Sequence, residues 1–448
     1  MNGGLRDFIN VLRDRNQLLV VRKEVDPTFE LHAVIRKVQS GPNLPVLFER
    51  VRGTRYPVVS NVLGNYGIVA QLLNVDIGQL AAKWAALANS NDLPDQLMSE
   101  PHLPLEQISI KDLPHLMFCE KDGGPYLTAG VVFARDPDTG VVNLSYHRFQ
   151  IIGDTELRCR LSTSGDLFRI QQKFERRGEP LAATIALGLP PAMMLAGATT
   201  VGPARSEYEL AARLAGHRIS TMVSPKHGLP VPASTEFIIE GEIAPVVRRP
   251  EGPFGEWMDY YVLQADNHVF DVQAVYARQD AVFHAISSGS NEELAISGVP
   301  IAGTIYGAIQ TWVPNVTDVV CFPLPQFCAI QIKSPTEGQP QRAMLAAFGA
   351  EMSRVLYCIV VDDDVNIHNF QDVLWAIATR CRPDRDVMQI PNVPSFGRDP
   401  YRMHWGRLGI DATKPIEGAA DFERKKIPGL EAIALENYFE STDIKAGR

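Results

Sequence analysis

Glu251 and Glu256 stand five residues apart in Pro250-Glu251-Gly252-Pro253-Phe254-Gly255-Glu256-Trp257-Met258-Asp259-Tyr260-Tyr261, and paired carboxylates are suited to general acid/base chemistry. Pro253 and the two glycines exclude a helix across the stretch, so turn geometry must place both acids, with an aromatic cluster behind them. On spacing alone the same residues also read as an ordinary solvated surface turn. The earlier stretch Asn143-Leu144-Ser145-Tyr146-His147-Arg148-Phe149-Gln150 adds an arginine. It follows the turn Asp136-Pro137-Asp138-Thr139-Gly140 and reads as the returning strand of a hairpin. Strand alternation sets Asn143, Ser145 and His147 against Leu144, Tyr146 and Arg148, so Asn143 and Arg148 share a pocket only across a bulge. An arginine between two glutamates lowers their pKa values while apolar burial raises them. Such a set holds one acid ionised and the other protonated.

The pairing of Asn143 and Arg148 with Glu251 to Glu256 resembles the UbiD-type decarboxylases, which use prenylated FMN. Ser206-Glu207-Tyr208-Glu209, Asp362-Asp363-Asp364-Val365, Trp375-Ala376-Ile377-Ala378-Thr379-Arg380-Cys381 and Gly409-Ile410-Asp411-Ala412-Thr413-Lys414-Pro415 extend the likeness in order over nearly the whole chain. The resemblance implies a carboxy-lyase acting reversibly and without net oxidation on an aromatic, heteroaromatic or α,β-unsaturated carboxylic acid. Within it Glu256 delivers the proton, Glu251 bridges to Arg148, and the prenylated flavin supplies the electron sink. It further implies cofactor contacts from Asn143, Ser145, Tyr146, Arg148, Thr199, Thr200, Val201 and Glu207.

A buried phosphate needs neutralising, and hard cations with oxygen ligands do this. The resemblance assigns Mn²⁺ or Mg²⁺ to Asn143 and Glu207, and K⁺ to Glu207 and the backbone around Ala198, Thr199 and Val201. Asp166 stands where relatives place a histidine ligand. It reads equally as the N-cap of a helix beginning at Leu167. The lysine that relatives bring to the phosphate is missing from 349–356, leaving Arg354 or Arg342 as substitutes. In Ser287 to Ile296, Glu293 and Leu294 replace the His-Arg pair of relatives that take dicarboxylic acids. A monocarboxylic acid is therefore expected, against a wall of Ser288, Asn291, Leu294 and Ile296.

These groups need a scaffold of several parts. The resemblance and the element pattern together give an α+β/α/β multidomain chain: an N-terminal α/β domain over 1–110, a split β-barrel cofactor domain over 111–297, a linker helix over 298–315, and a C-terminal α/β domain over 316–448 with an oligomerising tail. Helical stripes are expected from Leu5 to Arg15, from Pro27 to Ile35, around Ile68 to Leu73 and from Gln79 to Leu87. The proline-rich stretch Leu93 to Pro114 reads as a surface linker. Strands follow over Ala129 to Ala134, Val141 to Ile152, Arg158 to Leu161, Leu181 to Leu187, Glu236 to Glu240, Val269 to Ala277 and Val282 to Ile286, the last closing the central domain. Gly298 to Trp312 reads as the connecting helix. Asp362 to Asp364 end a strand and cap the next helix rather than form a metal cluster. His147 and His284 read as core histidines.

A net charge of −9 with no basic run beyond Arg424-Lys425-Lys426 argues against nucleic acid. No stretch approaches the roughly 18 apolar residues of a membrane span, which sets the expectation of a cytoplasmic, membrane-free protein. The six cysteines form no CxxC pair, so zinc and disulfide frameworks are poor readings. Expected partners are the small carboxylic acid, a flavin prenyltransferase supplying the cofactor, and further copies of the chain in a homodimer or larger homo-oligomer. Two other readings stand beside this one: a silent flavin-binding subunit of a larger carboxylase complex, and a flavin-free hydrolase or lyase using the paired glutamates.

Overall fold

Only two residues separate the strand Val142–Tyr146 from the strand Phe149–Ile151, yet the two lie at opposite ends of a nine-stranded sheet. The computed structural model describes residues 3–97, 104–201, 205–393, 405–434 and 437–438. Along the sheet the strands run Tyr126–Leu127, Phe149–Ile151, Glu156–Cys159, Ala265–Arg278, Phe237–Glu251, Leu181–Leu187, Val131–Arg135 and Val142–Tyr146. Every pairing is antiparallel. A connection this short reaches only about 10 Å. The two ends of the sheet must therefore meet, and the sheet curls into a barrel split along a seam. Leu127 to Val131 crosses the same seam, and His147 N–H donates across it to Gly130 O at 3.3 Å.

The seam corrects the expectation of one strand from Val141 to Ile152. The chain leaves one sheet end at Tyr146 and joins the other at Phe149, so His147 and Arg148 belong to neither ladder. Alternation therefore does not govern where Arg148 points relative to Asn143.

Two further differences concern how the N-terminal part joins the barrel. Phe283–His284 does not close the barrel but pairs in parallel with Val58–Ser60, completing a four-stranded sheet with Leu19–Val21 and Val46–Phe48. The expected linker over 93–114 contains the strand Leu105–Ile108, which pairs with Ala265–Arg278. Both segments carry apolar side chains with backbone groups that need partners, and an open sheet edge supplies them. The helix Leu5–Asp14 packs Leu5, Phe8, Ile9 and Leu12 into the same core. From its outer face Arg6 Nε and Nη2 donate to the buried Glu236 at 2.8 and 2.7 Å. The helix expected to open at Pro27 begins instead at Glu30, after a turn in which Thr28 N–H donates to Asp26 Oδ1 at 2.8 Å.

The connecting helix spans Asn291–Gln310, seven residues longer at its start than the expected Gly298. Ser290 Oγ caps it by accepting from Glu293 N at 3.3 Å. Beyond it a five-stranded sheet runs Val316–Cys321, Phe327–Ile332, Tyr357–Asp362, Trp405–Asp411, Val387–Val393. The aspartates at the end of its central strand form an ion cluster: Arg380 reaches Asp362 at 3.2 Å and Asp364 at 2.7 Å, and Lys414 reaches Asp364 at 2.9 Å. Arg380 and Arg424 also flank the Trp375 ring. The segments 362–365, 375–381 and 409–415 thus meet in a structural knot. The expected oligomer contact in the tail after Pro428 lies largely outside the described residues. No helix among them is long and apolar enough to cross a membrane.

His268, on the barrel strand Ala265–Arg278, has neither ring nitrogen hydrogen-bonded among the described residues. Burial, reinforced by Arg248 and opposed by Glu175, pushes its pKa down to about 4. A base depressed below its unfolded pKa takes up protons in the unfolded chain first, so stability falls as pH drops from the unfolded value of about 6.5 toward 4. Between pH 7 and pH 5 His268 alone accounts for a loss of about 2 kcal/mol. Urea unfolding at the two pH values should show that loss shrink by about this amount in His268→Leu, and an unchanged pH dependence would refute the assignment.

Candidate active site

Arg148 sits in the seam, 9% exposed, with its guanidinium 4.6 Å from the centre of the Phe254 ring. Its Nε and Nη2 donate to the two oxygens of Glu251 at 3.0 and 3.1 Å, and Nη1 donates to Glu256 Oε1. Glu251 ends the strand Phe237–Glu251, and Glu256 lies in the turn after Phe254–Gly255. Both glutamates are buried, at 1% and 4% exposure. An arginine and two glutamates about a hundred residues further along the chain therefore form one ion network, which removes the surface-turn reading.

Local structure explains the placement. Gly252 has φ +94°, which favours glycine, and turns the chain out of the strand. Phe254–Gly255 then pairs with Tyr261–Val262, and Glu256 N donates to Tyr260 O at 2.9 Å. At Gly255 a Cβ would crowd Cys119 Sγ, so the loop packs this tightly only with glycine there. Asp122 Oδ1 accepts from Gly255 N at 2.8 Å and anchors the turn from below.

The two acids differ in surroundings. Besides the fork from Arg148, Glu251 accepts from Tyr126 OH and from Asn267 Nδ2, both at 2.9 Å. Donors thus reach both of its oxygens and hold the side chain in place. Burial, with the charge of Glu251 beside it, holds the Tyr126 phenol far above its usual range and keeps it a donor.

Next to this network lies a cavity of 320 Å³, a size within the usual range for small-molecule sites. Arg148, Glu251 and Glu256 are not themselves on its wall, but their chain neighbours His147, Trp257 and Met258 are. The barrel contributes Thr128, Asn143, Ser145 and Tyr146; two helix starts contribute Asp166 and Glu207; the loop 197–200 contributes Ala198, Thr199 and Thr200. Leu294 and Ile296 line it from the long helix, and Arg354 from the C-terminal part.

Ser288 and Asn291 stand off the cavity, and Val201 lines a different one. The reason for the first two is the early helix start. With Asn291 as the first helical residue, the face toward the cavity comes to carry Glu293, Leu294, Ser297 and Ile301. Gln326, Ser353 and Leu356 also line it, and nothing in their local sequence marks them. Ser162, Ser164 and Gly165 were more accessible to reasoning, since small polar residues before a helix start are a familiar anion-binding pattern.

At the polar end, Glu207 is the first residue of the helix Glu207–Ala215, capped by Ser206, and its Oε2 accepts from Leu144 N at 3.2 Å. Burial, with the charge of Asp166 adding to it, pushes its pKa up to about 7. Asp166 is the first residue of its helix; Gly165 is the N-cap, so the capping reading fails. Its carboxylate pairs with Arg169. Asn143 Nδ2 donates to Ser145 Oγ at 3.1 Å. No cluster of three or more His, Cys, Asp or Glu suited to a metal occurs among the described residues. Asn143, Asp166 and Glu207 offer an amide and two carboxylates.

Three side chains on the cavity wall carry buried polar atoms with no hydrogen-bond partner among the described residues: Thr128 Oγ1, Tyr146 OH and Gln326 Oε1. Orphaned groups of both kinds, donors and acceptors, fit a ligand with a polar heterocyclic edge. The cavity thus suits a flavin, whose ring edge carries both donors and acceptors.

Comparison with known proteins agrees with this geometry. Residues 9–88, 95–291 and 295–412 match the models of the N-terminal, Rift-related and C-terminal domains of 3-octaprenyl-4-hydroxybenzoate carboxy-lyase. The anhydromevalonate phosphate decarboxylase of Methanothermobacter thermautotrophicus is 32% identical over 94% of this chain and 99% of its own. That of Methanosarcina mazei is 34% identical with the same coverage. Among solved structures, the UbiD-class enzyme HmfF from Pelotomaculum thermopropionicum in complex with FMN superposes with a TM-score of 0.91 at 34% identity, covering 98% of this chain and 100% of that one. The Klebsiella pneumoniae 3,4-dihydroxybenzoic acid decarboxylase shares the fold, with a TM-score of 0.87 at 23% identity over 97% and 98% of the two chains.

Removing the guanidinium leaves two buried carboxylates without their cation, and Arg148→Met should cost roughly 3–5 kcal/mol in urea unfolding. Adding Glu251→Gln and Glu256→Gln to that variant should recover a large part of the loss. An unchanged midpoint in the single variant would mean that the guanidinium does not hold the two acids.

Proposed function

The chain belongs to the UbiD family, and from that premise we propose that it is a reversible, non-oxidative decarboxylase that uses prenylated FMN on a small monocarboxylic acid. The observation that carries this reading is the buried Arg148–Glu251–Glu256 network beside a cavity with unsatisfied polar groups. Family membership and the decarboxylase relatives make the chain a carboxy-lyase.

In this reading Thr128, Tyr146 and Gln326 hold the polar edge of the flavin, with Ser145, Thr199 and Thr200 along its length. Asn143, Asp166 and Glu207 take Mn²⁺ or Mg²⁺ at the phosphate, and K⁺ binds near Ala198, Thr199, Val201 and Glu207. Arg354 supplies the positive charge that the absent lysine does not. When bound, the prenylated flavin supplies the electron sink that makes loss of CO₂ feasible. The protein does the rest. Arg148 fixes both acids and gives the substrate carboxylate a nearby cation. Glu251, clamped by its donors, holds Arg148 in place. Glu256, on the turn beside Trp257 and Met258, delivers the proton to the carbon that loses CO₂ and removes it in the reverse direction.

The apolar wall of Ile286, Leu294, Ile296, Ile301 and Leu356 suits the body of an aromatic, heteroaromatic or α,β-unsaturated acid. Glu293 beside it disfavours a second carboxylate. The relatives named for anhydromevalonate phosphate favour a second reading of the substrate, a carboxylic acid bearing a phosphate group. A homo-oligomer in the cytoplasm, supplied by a flavin prenyltransferase, completes the proposal; a silent flavin-binding subunit is the alternative.

The experiment is to co-express the chain with a flavin prenyltransferase and assay CO₂ release and deuterium exchange on aromatic acids and on phosphorylated unsaturated acids. Activity in one panel separates the two substrate readings, and none in either supports the silent subunit. Glu256→Gln should lower turnover at least about a hundredfold while leaving the flavin absorbance unchanged. Full activity in that variant would remove Glu256 from the role of acid.

A further inference from the structure

Behind Thr199 and Thr200 lies a second cavity, of 400 Å³, between the helix Leu80–Asn89 and the long helix Asn291–Gln310. Two guanidinium groups converge on it, those of Arg205 and Arg213. Arg213 is 7% exposed. The carboxylate paired with it, Glu209, stands 3.9 Å away and is half in solvent. Burial, together with the positive charge of Arg205, lowers the pKa of Arg213. Among the described residues the Nε–H of Arg213 has no hydrogen-bond partner, nor has the Nε1–H of Trp84, a fully buried side chain on the same cavity.

Orphaned donors and a poorly compensated buried cation are costly in an apolar interior. The sign of what is missing is clear. Both unsatisfied groups are donors, both charges are positive, and the hydroxyls of Thr200 and Thr304 on the wall can donate as well. An anion would satisfy these donors on the side of the cavity where Arg205, Arg213 and Trp84 stand. Gly303 is what allows the arrangement, since a Cβ there would collide with the Trp84 indole. Arg205 approaches from the surface, tied to Asn91 Oδ1 at 2.9 Å and to Ala88 O at 3.3 Å.

We propose that this second cavity is an oxyanion site that takes a phosphoryl group through Arg205, Arg213 and the Trp84 indole N–H. Its volume exceeds that of inorganic phosphate, leaving room for the organic part of a phosphate ester. The group belongs to a separate phosphorylated small molecule from solution, because the phosphate end of the flavin is proposed above for Asn143, Asp166 and Glu207, which line the other cavity. The inference does not depend on the decarboxylase reading and survives its failure.

The test is calorimetric titration of the full, flavin-free chain with inorganic phosphate at low salt, followed in parallel by tryptophan fluorescence with Trp84→Phe as the control. Saturable binding is expected, with a fluorescence response that Trp84→Phe removes. Arg205→Gln should weaken binding at least about tenfold, as should Arg213→Met, because each removes a charge-assisted hydrogen bond. Arg205 is exposed, so its variant reports even if Arg213→Met does not fold. No phosphate binding, or undiminished binding in Arg205→Gln, overturns the proposal. Titration with FMN and with riboflavin then separates the sources. Competition of phosphate with FMN, with Arg205→Gln weakening FMN and sparing riboflavin, would place the cofactor phosphate here and overturn the proposal. Simultaneous binding of phosphate and FMN assigns it to a separate ester.

Discussion

One guanidinium closing the split of a curled sheet is the constraint on which the site depends. Arg148 lies in the two-residue step where the chain passes from one sheet end to the other, and the acids it holds come from a third strand and the turn beyond it. Taking three charged groups out of water is costly, and their mutual attraction offsets this only with good geometry and with the remaining lone pairs satisfied. Glu251 meets both conditions through its fork and its two neutral donors. A hydrophobic cluster of the same volume would close the seam more cheaply. The network is therefore better explained by chemistry than by stability.

The same seam orders the cavity from end to end. The strand that leads into it, Val142–Tyr146, brings Asn143 and Tyr146 to the wall that the helix starts at Asp166 and Glu207 also line. Acids at the first position of a helix are favoured by its dipole, so two carboxylates can be held close together near the polar end. Burial and their proximity raise the pKa of Glu207, which is the electrostatic deficit a bound cation would relieve. At the other end, turn and helix residues supply apolar surface. The cavity therefore combines charged and apolar wall within one enclosure.

Reading the sequence recovered the elements better than their partners. The helix Leu5–Asp14 and the strand Leu181–Leu187 follow from periodicity because local pattern and burial agree there. Phe283–His284 was legible as a strand, but its partner Val58–Ser60 lies more than two hundred residues away and leaves no local trace. The start of the long helix was hidden for another reason. Ser287 to Asn291 is a run of small polar residues that reads as loop, while Ser290 in fact caps a helix whose first turn holds Glu292 and Glu293. That one misplacement set Ser288 and Asn291 on the substrate wall. The acid/base trio was legible only through resemblance, since alternation argued against Arg148 and spacing alone favoured a surface turn.

The position of the trio just behind the cavity wall bears on how the site works. Arg148 engages the glutamates through Nε, Nη1 and Nη2, so binding a substrate carboxylate requires that one of these contacts be shared or exchanged. Glu251 is the poorer candidate to yield, because releasing it would also strand Tyr126 and Asn267. The contact with Glu256 sits on a turn pinned by Asp122 and Tyr260, where a small shift of the Glu256 side chain disturbs no strand pairing. Exchange at that contact would deliver two results in one movement: a guanidinium N–H turned toward the departing carboxylate, and a glutamate no longer held by its cation. A carboxyl group relieved of a neighbouring positive charge in a buried site binds its proton more tightly. In the proposed function, the arrangement would couple capture of the substrate to arming of the acid.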